Sequence, residues 1–191
     1  MYVIAIVGAG GKTSQIKNLT KEYVQQDKKV LVTTTTHMGL EPGMVLSEKP
    51  DDIRQQLEKQ NFCICGSPVK EEKIASLPKD IYEQVCQLAD IVLVEADGSK
   101  HMPIKFPAVI PENVNEIQVV MGLHAIGHPF CEVSHRLELV KQCLNVSDTD
   151  LVTEVHLKKL YLEGYQKPLQ KKYPKAKIGF FPADHSNYFD N

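Results

Sequence analysis

The chain has 191 residues, of which 42% are hydrophobic and 24% are charged, and its formal net charge is -2. This composition is globular, and the length predicts a single domain over residues 1–191. The near-neutral charge argues against a mainly electrostatic nucleic-acid binder. The longest run without Asp, Glu, Lys or Arg, residues 117–131, is too short to cross a bilayer. We therefore expect neither nucleic acid nor membrane among its partners.

The amino terminus has no basic segment ahead of an apolar one, so we expect no secretory signal. The five cysteines are scattered and include no CxxC pair. Such a count predicts reduced thiols in a cytoplasmic protein.

Strands and helices alternate along the chain. The predicted strands are Tyr2–Val7, Val30–Val32, Asn61–Cys65, Asp90–Glu95, Ile117–Met121 and Ala176–Phe181. The predicted helices are Thr13–Asp27, Pro50–Lys59, Pro78–Leu88, Ser134–Cys143, Ser147–Leu162 with a break, and Tyr165–Lys172. Continuously apolar strands predict an α/β fold, in which a mostly parallel sheet has helices on both faces. Ligands of such sheets bind where the strands end.

A glycine-rich loop, Gly8-Ala9-Gly10-Gly11-Lys12-Thr13-Ser14, joins the first strand to the first helix. Glycines let the backbone turn its N–H groups towards an anion, and the helix N-terminus adds its own. Lys12 supplies positive charge for the β- and γ-phosphates, and Thr13 supplies a hydroxyl for Mg²⁺. The loop therefore predicts a nucleoside triphosphate site over residues 8–14; the alternative is a plain glycine turn.

This loop is shorter than a standard Walker A loop, because Ile6 stands where that pattern has its first glycine. The resulting G-x-x-G-K-T form resembles the G-T-N-G-K-T loop of the Mur ligase family, which binds ATP. We therefore expect a Rossmann-like P-loop NTPase fold with a shortened, Mur-like phosphate loop.

An acidic strand end follows later in the chain, where Asp90–Glu95 runs into Ala96-Asp97-Gly98-Ser99-Lys100. A carboxylate at such a strand end holds Mg²⁺ beside the phosphate loop of nucleotide hydrolases. We assign Glu95 to the metal with Thr13, Asp97 to orienting the attacking group, and Lys100, like Lys105, to neutralising a phosphate or acidic substrate. The division of roles between the two acids stays open, and the alternative is an Asp-Gly turn with a solvated Glu95.

The second strand ends in four threonines and a histidine, Thr33 to His37. If this strand neighbours the first, the hydroxyls of Thr35 and Thr36 face the phosphates and bind Mg²⁺ or a γ-phosphate oxygen. The alternative is the high strand propensity of threonine. The role of His37 stays open.

Together the segments IVGAGGKTS, VLVTTTTH and VLVEADGSK resemble the YqeC family of selenium-dependent hydroxylase accessory proteins. Further similarity covers Pro103–Pro107, the segment from Gly122 to Gly127, and His135-Arg136, so it spans nearly the whole chain. The resemblance implies a cytosolic P-loop protein that binds ATP or GTP with Mg²⁺. It also implies a role in the maturation of selenium- and molybdenum-containing hydroxylases, with such a hydroxylase or its cofactor-handling proteins as partner.

The base of the nucleotide stays open. Related sequences carry an NKxD-like segment after the last strand, whereas this chain reads Phe181-Pro182-Ala183-Asp184, with no Asn or Lys before the aspartate.

Two groups of Cys and His residues could be metal ligands, but each also has a structural interpretation. Cys63 and Cys65 share one strand face and would suit a soft metal or a selenium species, but buried cysteines more often act as small hydrophobic residues. The histidines at 124, 128 and 135, with Cys131, match no zinc spacing.

The leading hypothesis is an Mg²⁺-dependent NTPase in which Lys12, Asp97 and Lys100 are catalytic. One alternative is a Mur-like ATP-dependent transferase or ligase, which would leave a modified second substrate. The other is a non-catalytic, nucleotide-gated chaperone or insertion factor, which would show negligible turnover by itself.

Overall fold

The computed structural model describes residues 1–39, 41, 43–69, 73–96, 98, 102–106 and 110–183. Within them the strands are β1 (Tyr2–Gly8), β2 (Val30–Thr34), β3 (His37–Gly39), β4 (Phe62–Ile64), β5 (Ser67–Val69), β6 (Lys73–Ala75), β7 (Ile91–Glu95), β8 (Ile104–Lys105), β9 (Glu116–Gly122), β10 (Ser134–His135) and β11 (Lys177–Ala183). The α-helices are α1 (Lys12–Gln25), α2 (Pro50–Gln60), α3 (Lys79–Cys86), α4 (Phe130–Val133), α5 (Leu137–Leu144), α6 (Glu154–Lys159) and α7 (Lys167–Lys172).

The chain divides into two compact units. The first comprises the described parts of residues 1–6, 13–98 and 109–115, and its main sheet has the order β1-β7-β2-β4 with every pair parallel. A smaller antiparallel sheet has the order β3-β6-β5. The predicted mixed α/β fold with a mostly parallel sheet is confirmed.

One face of the main sheet in the first unit is covered by α2 and α3. Leu31 of β2 and Cys63 of β4 are paired in register and lie in one buried cluster with residues of both helices. The members of this cluster are Val3, Leu31, Ile53, Leu57, Cys63, Cys65, Leu77, Val85, Cys86, Ala89, Val92 and Val94. Each fully buried aliphatic side chain of this kind contributes about 1.5–3 kcal/mol.

The second unit comprises the described parts of residues 7–12, 99–108 and 116–191. Here β9 and β11 pair in parallel along their whole length, and β8 and β10 form a short parallel pair. A π-helical segment, Leu160–Gln166, joins α6 to α7. It carries the buried Tyr165, whose hydroxyl donates to the main-chain oxygen of Lys105 at 2.6 Å.

Two predicted helices differ from the structure. Ser134 and His135 belong to β10, and α5 begins only after Arg136, whose φ of 62° breaks the helical path. The predicted helix from residue 147 begins instead at Glu154, because Thr153 forms a capping box with His156. The short strands β3, β5, β6, β8 and β10 were not predicted, since runs of two or three residues have no readable periodicity.

Among the described residues, no helix combines the length and the apolar character needed to cross a membrane. The prediction of a single domain over residues 1–191 stays a prediction.

Candidate functional site

The glycine loop follows β1 and has a backbone that other residues rarely adopt. Gly8, Gly10 and Gly11 have φ angles of 88°, 70° and 141°. A Cβ atom on Gly8 would lie 2.0 Å from the carbonyl oxygen of Val120. The loop conformation therefore requires glycine both for its dihedral angles and for its close contact with β9.

Gly10 is enclosed on two sides within the second unit. A Cβ atom there would lie 2.8 Å from the Cα of Gly122 and 2.8 Å from the carbonyl oxygen of Pro103. The N–H of Ala9 donates to the Val120 oxygen at 2.9 Å, so β9 occupies that donor. Pro103 and Gly122 were not predicted to contact the loop, although a glycine at the end of an apolar strand could have indicated a close backbone approach.

Lys12 is the first residue of α1, and its side chain is only 5% exposed. A buried ammonium is stable only where acceptors or negative charge surround it. The first turn of α1 contains no acidic residue, so its N-terminal N–H groups and dipole face no competing carboxylate from that turn. Ser14, also assigned to the nucleotide, is exposed in this turn.

Thr13 and Glu95 meet in the first unit although 82 residues separate them. Glu95 ends β7, where it is paired in register with Ile6 of β1 and Thr34 of β2, and it is 8% exposed. The Thr13 hydroxyl donates to Oε2 of Glu95 at 3.5 Å. The two residues that the sequence analysis assigned to the metal therefore lie within reach of one ion, although their roles stay predictions.

The threonine run is bonded to the same strand end. The expected condition, that the second strand neighbours the first, is not met, because β7 lies between β1 and β2. The Thr34 hydroxyl donates to the main-chain oxygen of Glu95 at 2.9 Å, and the Thr35 N–H donates to the same oxygen at 3.1 Å. The Thr36 N–H donates to the Thr34 hydroxyl at 3.1 Å. Thr34 was not among the predicted site residues, although the four-threonine run contained it.

The hydroxyl oxygens of Thr35 and Thr36 are buried and have no hydrogen-bond partner in the described part of the chain. A buried hydroxyl without a hydrogen-bond partner costs free energy, so hydroxyls of this kind usually bind a ligand or an ordered water. Hydroxyl and carboxylate oxygens are the hard ligands that Mg²⁺ prefers. The residues at this strand end therefore fit a bound Mg²⁺.

Other predicted residues either are not described by the structure or were found outside this group. Asp97 and Lys100, assigned to catalysis, fall outside the described residues, as does Asp184. His37 is exposed on β3, whereas Lys105 is buried in β8.

The cysteine pair belongs to the core of the first unit. Cys63 and Cys65 are fully buried, and a hydrogen bond with Cys63 together with burial raises the pKa of Cys65 well above its ordinary value. Burial raises the pKa of the nearby Cys86 to about 11. A raised pKa disfavours the thiolate that a soft metal requires, which favours packing roles for Cys65 and Cys86. The full burial of Cys63 in the same cluster favours the same role. Among the described residues, no group of three or more His, Cys, Asp or Glu side chains could hold a metal ion.

Comparison with known proteins gives a family and, among solved structures, a distant likeness. The model of the family described as YqeC protein matches residues 4–138. The YqeC protein of Escherichia coli (strain K12) is 32% identical over 136 residues, which cover 65% of this chain and 53% of that protein. The chain thus spans about half the length of this relative. A chain of the MinC:MinD cell division protein complex of Aquifex aeolicus aligns at 15% identity and a TM-score of 0.41. The alignment covers 100% of this chain and 84% of that chain.

Proposed function

Since the chain belongs to the YqeC family, we propose that it is an Mg²⁺-dependent protein that binds and hydrolyses a nucleoside triphosphate, ATP or GTP. In this proposal residues 1–191 form one Rossmann-like P-loop domain with a shortened, Mur-like phosphate loop. The protein assists the maturation of selenium- and molybdenum-dependent hydroxylases in the cytoplasm. The free thiols of all five cysteines agree with that compartment.

The observation that carries the proposal is the contact of Thr13 with Glu95, at the strand end where two threonine hydroxyls have no partner among the described residues. Thr13 Oγ1, the Glu95 carboxylate and the hydroxyls of Thr35 and Thr36 would hold Mg²⁺. The ion would neutralise negative charge on the phosphate oxygens. Thr34 would keep the Glu95 main chain in place through its bond to the Glu95 oxygen.

The phosphate groups would bind at residues 8–14. The positive φ angles of Gly8, Gly10 and Gly11 allow a close backbone approach, and the N-terminus of α1 favours an anion. Lys12, which is buried at this point, would balance the charge of the β- and γ-phosphates. Asp97 and Lys100 would orient the attacking water and stabilise the transferred group; the support for both is their position after β7 in the sequence.

Thermal-shift titration tests nucleotide binding, because a ligand that binds only the folded state raises its melting temperature. We expect ATP or GTP with Mg²⁺ to raise the melting temperature, CTP to have a smaller effect, and EDTA to remove most of the shift. Phosphate release then shows whether the bound nucleotide is hydrolysed. If none of the nucleotides shifts the transition with Mg²⁺ present, the proposal is wrong.

The role in maturation needs a separate test, because it comes from the family resemblance. We expect a selenium- or molybdenum-dependent hydroxylase, or a protein that handles its cofactor, to bind the chain more tightly with one nucleotide state than with the other. Surface-immobilised chain, loaded with the triphosphate or the diphosphate, provides this comparison. Equal binding in both states would contradict nucleotide-dependent assistance.

A further inference from the structure

A cavity of about 320 Å³ lies within the first unit, along one side of α1. Its described lining is Thr13, Ile16, Lys17, Thr20, Lys21, Val24, Val32, Met38, Glu41, Met44, Gln60, Phe62 and Ile64. Protein interiors rarely leave voids much larger than a water molecule, whereas small-molecule sites measure about 300–1,000 Å³. The cavity is therefore large enough to be a binding site.

One wall of the cavity is a single face of α1. The lining positions 13, 16, 17, 20, 21 and 24 are spaced by three and four residues, which places them in one stripe along the helix. The opposite wall is the second face of the β2–β4 pair. Val32 and Ile64 are paired in register and line the cavity, whereas the neighbouring pair, Leu31 and Cys63, faces the core with α2 and α3.

The apolar part of the lining suits a flat ring. Met38, Met44 and Phe62 supply two thioethers and an aromatic ring, which pack favourably against aromatic ligands. Met44 is held by local bonds, because its sulfur accepts the N–H of Glu41 at 3.2 Å and its own N–H donates to the Glu41 oxygen at 3.3 Å.

The charged part of the lining favours an anion. The described lining contains two lysines and one acidic residue. Lys17 is paired with Glu41, with 2.9 Å between Nζ and Oε1. Lys21, one turn further along α1, adds a second positive charge at the exposed edge. Opposite charge around a site selects the sign of its ligand.

We infer that this cavity binds a flat aromatic compound that bears one anionic group, with the rings between α1 and the β2–β4 pair and the anion near Lys21. Thr13 belongs both to this lining and to the candidate metal site. On the proposed function, the compound is therefore a second ligand beside the nucleotide; binding of the compound itself does not rest on that function.

Two probes that differ by one charge test this inference. 8-Anilinonaphthalene-1-sulfonate carries a sulfonate, and N-phenyl-1-naphthylamine has the same rings without it. Both fluoresce when they enter an apolar site. We expect one site per chain for each probe and tighter binding of the sulfonate.

A substitution that fills the cavity tests whether the probes bind there. Thr20→Phe places a ring inside the lining, and we expect it to weaken both probes at least tenfold. Asn18→Phe adds the same ring to the exposed face of α1, outside the lining, and should change neither probe. Near-ultraviolet circular dichroism establishes that both variants are folded. Unchanged binding in a folded Thr20→Phe variant would overturn the inference.

The charge is tested on the surface, where folding is not at risk. Lys21→Gln should weaken the sulfonate about two- to fivefold, the effect expected for one exposed ion pair, and leave the neutral probe unchanged. Lys28→Gln removes an exposed lysine beyond the end of α1 and should affect neither probe. An equal loss for both probes, or no loss, would overturn the assignment of Lys21 to an anion.

Nucleotide titration of the same variants separates this inference from the proposed function. Probe binding with the expected variant pattern, but without any nucleotide binding, would support the cavity and overturn the nucleotide site. If nucleotide binds but Thr20→Phe blocks no probe site, the nucleotide site is supported and the cavity inference is overturned.

Discussion

The side-chain hydroxyl of Thr34 donates a hydrogen bond of 2.9 Å to the main-chain oxygen of Glu95, across the parallel pair β2 and β7. This bond joins the threonine run to the acidic strand end through the backbone and leaves the Glu95 carboxylate to approach Thr13. Two segments 61 residues apart thus form one oxygen-rich group within the first unit.

Lys12→Ala should abolish measurable nucleotide binding, because it removes the buried positive charge next to the glycine loop. Isothermal titration with ATP or GTP and Mg²⁺ measures the loss, which we expect to exceed 100-fold, since hydrogen bonds to charged groups contribute about 1.5–3 kcal/mol and more where they are buried. Lys28→Ala, at an exposed position, is the matched control. Unchanged affinity in Lys12→Ala would refute the loop assignment.

Glu95→Gln should reduce the contribution of Mg²⁺ to nucleotide binding and leave metal-free binding nearly unchanged. The amide keeps the shape of the side chain but removes the negative charge that a hard cation needs. We expect a loss of about tenfold or more in the presence of Mg²⁺, equal to about 1.4 kcal/mol. Glu58→Gln, on the exposed side of α2, provides the control. The metal assignment fails if both variants respond to Mg²⁺ like the unaltered chain.

Thr34→Val should destabilise the first unit, because the Glu95 oxygen and the Thr36 N–H both lose a bond to the hydroxyl. The Glu95 oxygen keeps its bond from the Thr35 N–H, so the cost comes mainly from the Thr36 N–H, which loses its acceptor. One such group left unsatisfied costs about 1–3 kcal/mol, which urea unfolding measures. Thr34→Ser keeps the hydroxyl and should recover most of the stability. Equal stability in the two variants would show that the hydrogen bonds contribute little.

Gly10→Ala should distort the glycine loop, since a Cβ atom would lie 2.8 Å from Gly122 and from the Pro103 oxygen at a φ of 70°. Gly127 is the control, because its φ is 87° but, apart from its chain neighbours, no atom of the described residues lies within 4 Å of an added Cβ. Gly127→Ala should therefore cost only the left-handed strain of about 1–2 kcal/mol, whereas Gly10→Ala should cost more and also lose nucleotide binding. Thermal unfolding and nucleotide titration of both variants provide the comparison; similar results for the two would contradict it.

Stability should fall as the pH rises from about 9 towards 11. Burial raises the pKa of Cys86 in the folded chain to about 11, above the ordinary thiol value of 9.0. Between these values the unfolded chain has lost a proton that the folded chain keeps, so the free energy of unfolding decreases with pH. Urea unfolding at pH 7, 9 and 10.5 measures the slope. Cys86→Ala should make the slope shallower without removing it, because the pKa of Cys65 is raised as well. An unchanged slope would contradict the assignment to Cys86.

Much of the architecture was predictable from local pattern. The apolar runs that became β1, β7 and β9 and the stripe of α1 are properties of neighbouring residues, as are the glycines that require positive φ angles. The boundaries were wrong where one residue interrupted a helical pattern, as Arg136 does before α5. Periodicity averages over a window and does not detect a single left-handed residue.

The candidate site was predictable only in part. The threonines were expected beside the phosphate loop only if β2 neighboured β1, but β7 lies between these strands, so the threonines adjoin Glu95 instead. The hydrogen bond from Thr34 to the Glu95 main chain could not be predicted, because it depends on the register of β2 against β7.

The amino-acid sequence by itself determined the strand–glycine–helix segment, the acidic strand end, the family and the mostly parallel fold, because these features depend on residues close together in the chain. Only the tertiary structure decided that Cys63 and Cys65 pack in the core, that Lys105 is buried, and that a cavity remains beside α1. A sequence pattern indicates which face of a strand is apolar, but whether that face meets a helix or an open cavity depends on how distant segments pack.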